Sequence, residues 1–76
     1  MTVARTVDIR RYRCPMTWVR VKLALEAIEP GEVLEVLLSG EEPARNIPRS
    51  AVDEGHEVLG SDEGPEGTRL WLRKRS

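Results

Sequence analysis

The chain has little of what small proteins use to build metal centres, disulfide frameworks or aromatic platforms. Its 76 residues include one cysteine, one histidine, two tryptophans, one tyrosine and no phenylalanine. A lone cysteine forms no internal disulfide, so no oxidised framework holds the fold and a reducing, cytoplasmic location is expected. Cys14 and His56 alone fall short of the ligands that a zinc or iron site takes, and no metal is expected. There is no glycine-rich phosphate loop, so neither nucleotide nor any other cofactor is expected. Trp18, Trp71 and Tyr12 are too few for a stacking surface, and the net charge of −1 argues against direct nucleic-acid binding. No apolar run approaches the ~18 residues of a membrane helix, and Met1–Arg5 opens onto charged residues rather than a signal segment. These absences describe one small soluble domain covering residues 1–76.

Charge is present, but it is segregated. Residues 1–22 carry six Lys/Arg and one acid, residues 23–68 two and twelve, and residues 69–76 four and none. If the two basic ends meet in space, they form a positive face around Cys14; otherwise they are solvated surface.

Thr6–Arg10 alternates polar and apolar side chains, as a half-buried strand does. Beyond the turn at Tyr12–Pro15, Trp18, Val21, Leu25 and Ile28 recur with helical spacing, with Ala24 beside them. That apolar stripe predicts a helix packed on a sheet, with Arg20, Lys22, Glu26 and Glu29 outward. Pro30-Gly31 stops it. Val33–Leu38 is nearly continuous in apolar character and reads as a central strand, parallel to the first through a right-handed crossover. Ala44, Ile47, Ala51 and Val52 predict a second helix that kinks or restarts at Pro48 and ends near Gly55, with Asn46 or Ser50 as candidate caps. His56 falls in a surface turn. Two short strands follow, Glu57–Gly60 and Thr68–Arg73, joined antiparallel by a seven-residue hairpin loop, Ser61–Gly67. Lys74–Ser76 is expected to fray. Two helices on one side would leave the other face of the sheet open, where Trp71 and Leu72 are the residues of interest.

The chemistry centres on Arg13-Cys14-Pro15. Proline is best tolerated at the first position of a helix, so Cys14 falls at or beside the N-cap, facing backbone N–H groups that have no intrahelical acceptor. Those donors favour thiolate over thiol. An ordinary thiol, with a pKa of about 8.5, is only about 3% ionised at neutral pH, and lowering it by two units takes roughly 2.7 kcal/mol. A helix end supplies ~0.3–1 kcal/mol, so Arg10, Arg11 and Arg13 are the further contributors expected. A lone cysteine with no partner base can accept a sulfur atom by attacking a persulfide, and with no second cysteine to resolve the product it must pass the atom on. That is the work of a carrier.

Asp8-x-Arg10-x-x-x-Cys14-Pro15, Pro30-Gly31-Glu32 before an apolar strand, Asn46-Ile47-Pro48 in the second helix and Gly55-His56-Glu57-Val58 before the third strand together resemble the TusA/SirA-like sulfurtransferase family. The resemblance covers nearly the whole chain. It implies an α+β fold, a two-layer α/β sandwich of β-α-β-α-β-β order with a four-stranded mixed sheet and both helices on one face. It also implies that Cys14 carries a persulfide sulfur between a donor, such as a cysteine desulfurase or rhodanese-like protein, and an acceptor in tRNA thiolation or other sulfur traffic. One departure stands out. Where the family has Cys-Pro-x-Pro, this chain has Cys14-Pro15-Met16-Thr17, which returns an N–H at Thr17 that a thiolate could accept. Arg13, Pro15 and Thr17 are therefore the expected supports of Cys14. The competing expectation is a non-catalytic interaction or regulatory module in which the cysteine is incidental.

Overall fold

A computed structural model describes residues 2–13 and 16–75. The element order is β1 (Val3–Asp8), α1 (Met16–Ala27), β2 (Val33–Leu38), α2 (Glu41–Asp53), β3 (Glu57–Gly64) and β4 (Gly67–Arg73). The sheet runs β1-β2-β4-β3, with β1 and β2 parallel and the remaining pairs antiparallel. This is the expected mixed four-stranded α+β sandwich.

Alternation along β2 and β4 creates the two faces. Leu34, Val36, Leu38, Leu70 and Leu72 point one way, and Val21, Ala24, Leu25 and Ile28 after α1 join Ile47 and Ala51 of α2 in closing over them. Both helices therefore cover the same face. On the other face Glu35 accepts hydrogen bonds from Trp71 Nε1 (3.1 Å) and Thr6 Oγ1 (3.2 Å), and Arg73 pairs with Glu57 at 3.2 Å. Leu72 thus belongs to the covered face, contrary to expectation, because the period of two that exposes Trp71 turns its neighbour inward. Trp71 is on the open face as expected, in a polar setting.

Several local expectations shift. The first strand, Val3–Asp8, overlaps the segment predicted from alternation but starts three residues earlier and ends two earlier. Asp8 ends it by accepting from the Arg10 main-chain N–H at 3.0 Å, although Ile9 N–H still bonds Leu37 O at 2.8 Å. α2 runs unbroken through Pro48, with no restart. Burial of Ile47 before the proline and Ala51 after it holds both turns against the sheet, offsetting a cost of about 3 kcal/mol for an interior proline. Asn46 and Ser50 consequently lie inside the helix, Ser50 in its last turn, and the N-cap is Gly40, without a side-chain cap. The expected seven-residue loop contracts to Pro65-Glu66, because β3 continues to Gly64 and β4 starts at Gly67. Asp62 and Glu63 pass for loop residues in sequence, but on an edge strand they stay hydrated, and Asp62 lies opposite Arg69.

Lys74 and Arg75 are tied down rather than frayed, and Ser76 lies outside the described residues. Lys74 exchanges main-chain bonds with Gly31 and Glu32 at 2.9 Å, and its Nζ donates to Ile28 O at 2.7 Å. Arg75 N–H donates to His56 Nδ1 at 3.1 Å, so the histidine is a half-buried acceptor rather than a free surface group. Burial first, then the Arg75 charge, push the His56 pKa below its usual value. A histidine more basic in the unfolded chain than in the folded one stabilises the fold fully above about pH 6.5 and loses that contribution as pH falls through its lower folded pKa. Asp8, held down to about 2 by the Arg10 guanidinium and main-chain N–H, does not titrate in that window. Urea titrations between pH 8 and pH 5 should therefore show wild-type stability falling more steeply below about pH 6.5 than that of His56→Gln. Parallel curves would remove His56 as the cause.

Candidate functional site

Parallel strands β1 and β2 end at the same edge of the sheet, and each then feeds a helix that runs back across the covered face. Both helices consequently start at that edge. Open α/β sheets bind ligands at the carboxyl ends of parallel strands, where backbone N–H groups of helix starts converge. Here a cleft of about 370 Å³ lies there, lined by Tyr12, Arg13, Thr17, Ser39, Glu42 and Pro43. The first two come from the turn before α1, Thr17 from its first turn, and the remainder from the entry to α2.

Cys14 and Pro15 lie outside the described residues, so the site is built from what brackets them. Arg13 is exposed and reaches the cleft, and Met16 N–H donates to Arg13 O at 2.7 Å, closing the chain across the interval. Thr17 is 4% exposed, the one buried polar residue among those described, and its remaining surface faces the cleft. Tyr12 is held by Arg20, whose guanidinium carbon stands 4.6 Å from the ring centroid. The expected supports Arg13 and Thr17 are thus both at the mouth of α1.

The expected ring of positive charge is only partly present. Arg10 is turned away into a forked pair with Asp8, Nη2 to Oδ2 at 2.8 Å and Nε to Oδ1 at 3.0 Å, so its charge is compensated. Its guanidinium lines a separate cleft with Glu66 and Arg69. Lys74 and Arg75 lie at the opposite pole, because Lys74 bonds the carbonyl of Ile28 just beyond the end of α1 and Arg75 bonds His56. Arg13 remains as the cleft's cation, opposed by Glu42. Ser39, Glu42 and Pro43 were not read as site residues from sequence. The signal available was the Ser39-Gly40 end of a strand predicted to be parallel to the first.

Comparison with known proteins agrees with the fold and identifies the family. A profile of the family described as Sulfurtransferase TusA matches residues 5–74. An Archaeoglobus fulgidus protein described as a candidate sulfur carrier is 44% identical over 70 residues, covering 91% of this chain and 80% of its own. Sulfur carrier protein TusA of Pseudomonas entomophila is 30% identical over 71 residues, covering 93% and 89%. The crystal structure of a SirA-like protein from Desulfitobacterium hafniense shares the fold, with a TM-score of 0.80 at 24% identity over 95% of this chain and 99% of that one. With a family profile spanning almost its full length over a matching sandwich, the chain belongs to the sulfurtransferase TusA family.

Proposed function

We propose that this protein is a sulfur carrier in which Cys14 accepts a persulfide sulfur from a donor protein and relays it to an acceptor protein. The observation that carries the reading is the edge of the sheet where both helices begin, beside the segment that holds the chain's one cysteine. The Cys14 thiolate attacks the terminal sulfur of a donor persulfide, R–S–SH. The donor S–S bond breaks, R–S⁻ leaves, and Cys14–S–SH forms with its proton retained. Transfer to the acceptor thiolate is the same exchange in reverse sense, so no oxidant, metal or general acid is consumed. Sulfur carriage is consistent with the names of the relatives, and the donor is a cysteine desulfurase or a rhodanese-like protein.

Ionisation is what the surroundings must supply. Two helix starts contribute ~0.3–1 kcal/mol each, short of the roughly 2.7 kcal/mol that two pKa units need, and Arg13 and the Thr17 N–H are assigned the remainder. Pro15 stays a proposed support of Cys14 on the strength of the sequence, having no N–H of its own to compete for the sulfur's surroundings. The acceptor reaction is tRNA thiolation or another sulfur-trafficking step, reached through protein partners in the cytoplasm.

Wild-type protein incubated with a cysteine desulfurase and L-cysteine should gain one sulfur atom by intact mass, localised to the peptide bearing Cys14. Iodoacetamide should alkylate the thiol with a pH midpoint below the ordinary value of about 8.5, and Thr17→Pro should raise that midpoint. An unmodified mass together with sluggish alkylation at neutral pH would defeat the reading, and an unchanged or lowered midpoint in Thr17→Pro would remove Thr17 from it.

A further inference from the structure

Among the described residues, the large apolar side chains left exposed are Tyr12, Met16, Val19, Leu23 and Val52. Their distribution is uneven. Met16, Val19 and Leu23 are spaced i, i+3 and i+7 on α1, so they form one ridge on the side turned away from Val21, Ala24 and Leu25. Tyr12 adjoins the same end of the helix through its contact with Arg20. The ridge is about 10 Å long and starts at Met16, two residues beyond Cys14. Arg20 and Lys22 lie on its two flanks, with exposed Arg13 at its head and Glu26 past its far end.

Sulfur exchange requires the donor and acceptor sulfurs to come within roughly 3–3.5 Å, so any partner must lie over the head of α1. A partner in that position also meets the ridge. Apolar side chains outside a core cost nothing when a partner buries them, and cations on their rim favour carboxylates on the opposing surface. A second copy of this chain seated on the ridge would cover the head of α1, the approach that a sulfur donor needs, so the ridge is assigned to the exchanging partner rather than to a copy of the chain.

We propose that the Met16–Val19–Leu23 ridge, flanked by Arg20, is the docking surface for the proteins that exchange sulfur with this chain, and that it takes an apolar partner surface rimmed by carboxylates. This rests on the carrier reading. It adds that recognition runs along α1, away from the reacting sulfur.

Leu23→Glu and Val19→Glu test it, with Val52→Glu as the control. Leu23 is 56% exposed and Val52 57%, but Val52 lies on α2, in its last turn, and not on the ridge. Sulfur uptake is measured by intact mass from three donors: a cysteine desulfurase with L-cysteine, a persulfidated rhodanese domain, and inorganic polysulfide, which needs no docking. Leu23→Glu and Val19→Glu should each slow uptake from a protein donor about tenfold or more at limiting concentration, as loss of a central contact does, and leave polysulfide uptake unchanged. Val52→Glu should match wild type throughout. Equal rates in all variants, an equal loss in Val52→Glu, or a parallel loss with polysulfide would overturn the proposal. So would wild type that loads from polysulfide and from neither protein, or a ridge whose only measurable ligand is a vesicle of anionic phospholipid. Wild type that fails even with polysulfide defeats the carrier reading itself, a distinct result.

Discussion

Cys14→Ser is expected to abolish sulfur uptake from every donor, small or protein, and not merely to slow it. Thiolate, not thiol, is the attacking species, and a serine hydroxyl offers neither that anion at neutral pH nor a sulfur that can hold a sulfane atom. No other cysteine exists to take over. The informative measurement pairs uptake with partner affinity. If docking runs through α1, Cys14→Ser should bind a donor within about twofold of wild type while its mass stays unmodified, since exchanging one small side chain outside the ridge removes little contact area. Full partner binding together with unmodified wild-type mass would instead mark an interaction module with an incidental cysteine. Sulfur gained by Cys14→Ser would end the assignment of the carrier role to this residue.

Gly67→Ala is expected to destabilise the fold by about 2–5 kcal/mol, from a strained backbone and a steric clash acting together. Gly67 opens β4 at φ +131°, a region that side chains rarely adopt. A Cβ there would stand 2.5 Å from the carbonyl oxygen of Leu38, at the end of β2. That oxygen is backbone in a central strand and cannot swing aside. For a domain of this size the loss should lower Tm by more than about 8 °C. Two other glycines separate the causes. Gly31 has φ +87° with open space around it, so Gly31→Ala carries strain alone, whereas Gly60 has neither strain nor a close neighbour. Urea unfolding should rank the losses Gly67→Ala, then Gly31→Ala, then Gly60→Ala. A Gly67→Ala variant as stable as Gly31→Ala would show that the β2–β4 contact yields easily. Because Leu38 leads through Ser39-Gly40 into α2, movement there would also reshape the cleft.

The sequence conveys the order of elements wherever burial imposes a period. The α1 stripe and the apolar run of β2 are such cases, and the Pro30-Gly31 stop falls where read. It misleads where polar residues pair without being buried. Asp62 and Glu63 look like a loop yet form an edge strand, and Pro48 looks like a break yet is held in line by Ile47 and Ala51. Leu72 and Trp71 are adjacent and both apolar, so composition cannot assign their faces; the register against Leu34 and Glu35 does.

For the site, the residue types and the local position were already in the sequence: one cysteine before a proline at the start of an amphipathic helix, with Arg13 and Thr17 on either side, because helix starts are set by neighbours a few residues apart. What needed the tertiary structure was everything set by distant segments. Only the parallel pairing of β1 and β2 brings Ser39, Glu42 and Pro43 to the head of α1. Only the course of β4 carries the basic C-terminus to the far pole, and only the closing of both helices over one face leaves the Met16–Leu23 ridge uncovered. Local chemistry follows from chain neighbours, whereas charge and apolar surface combine according to which strands pair.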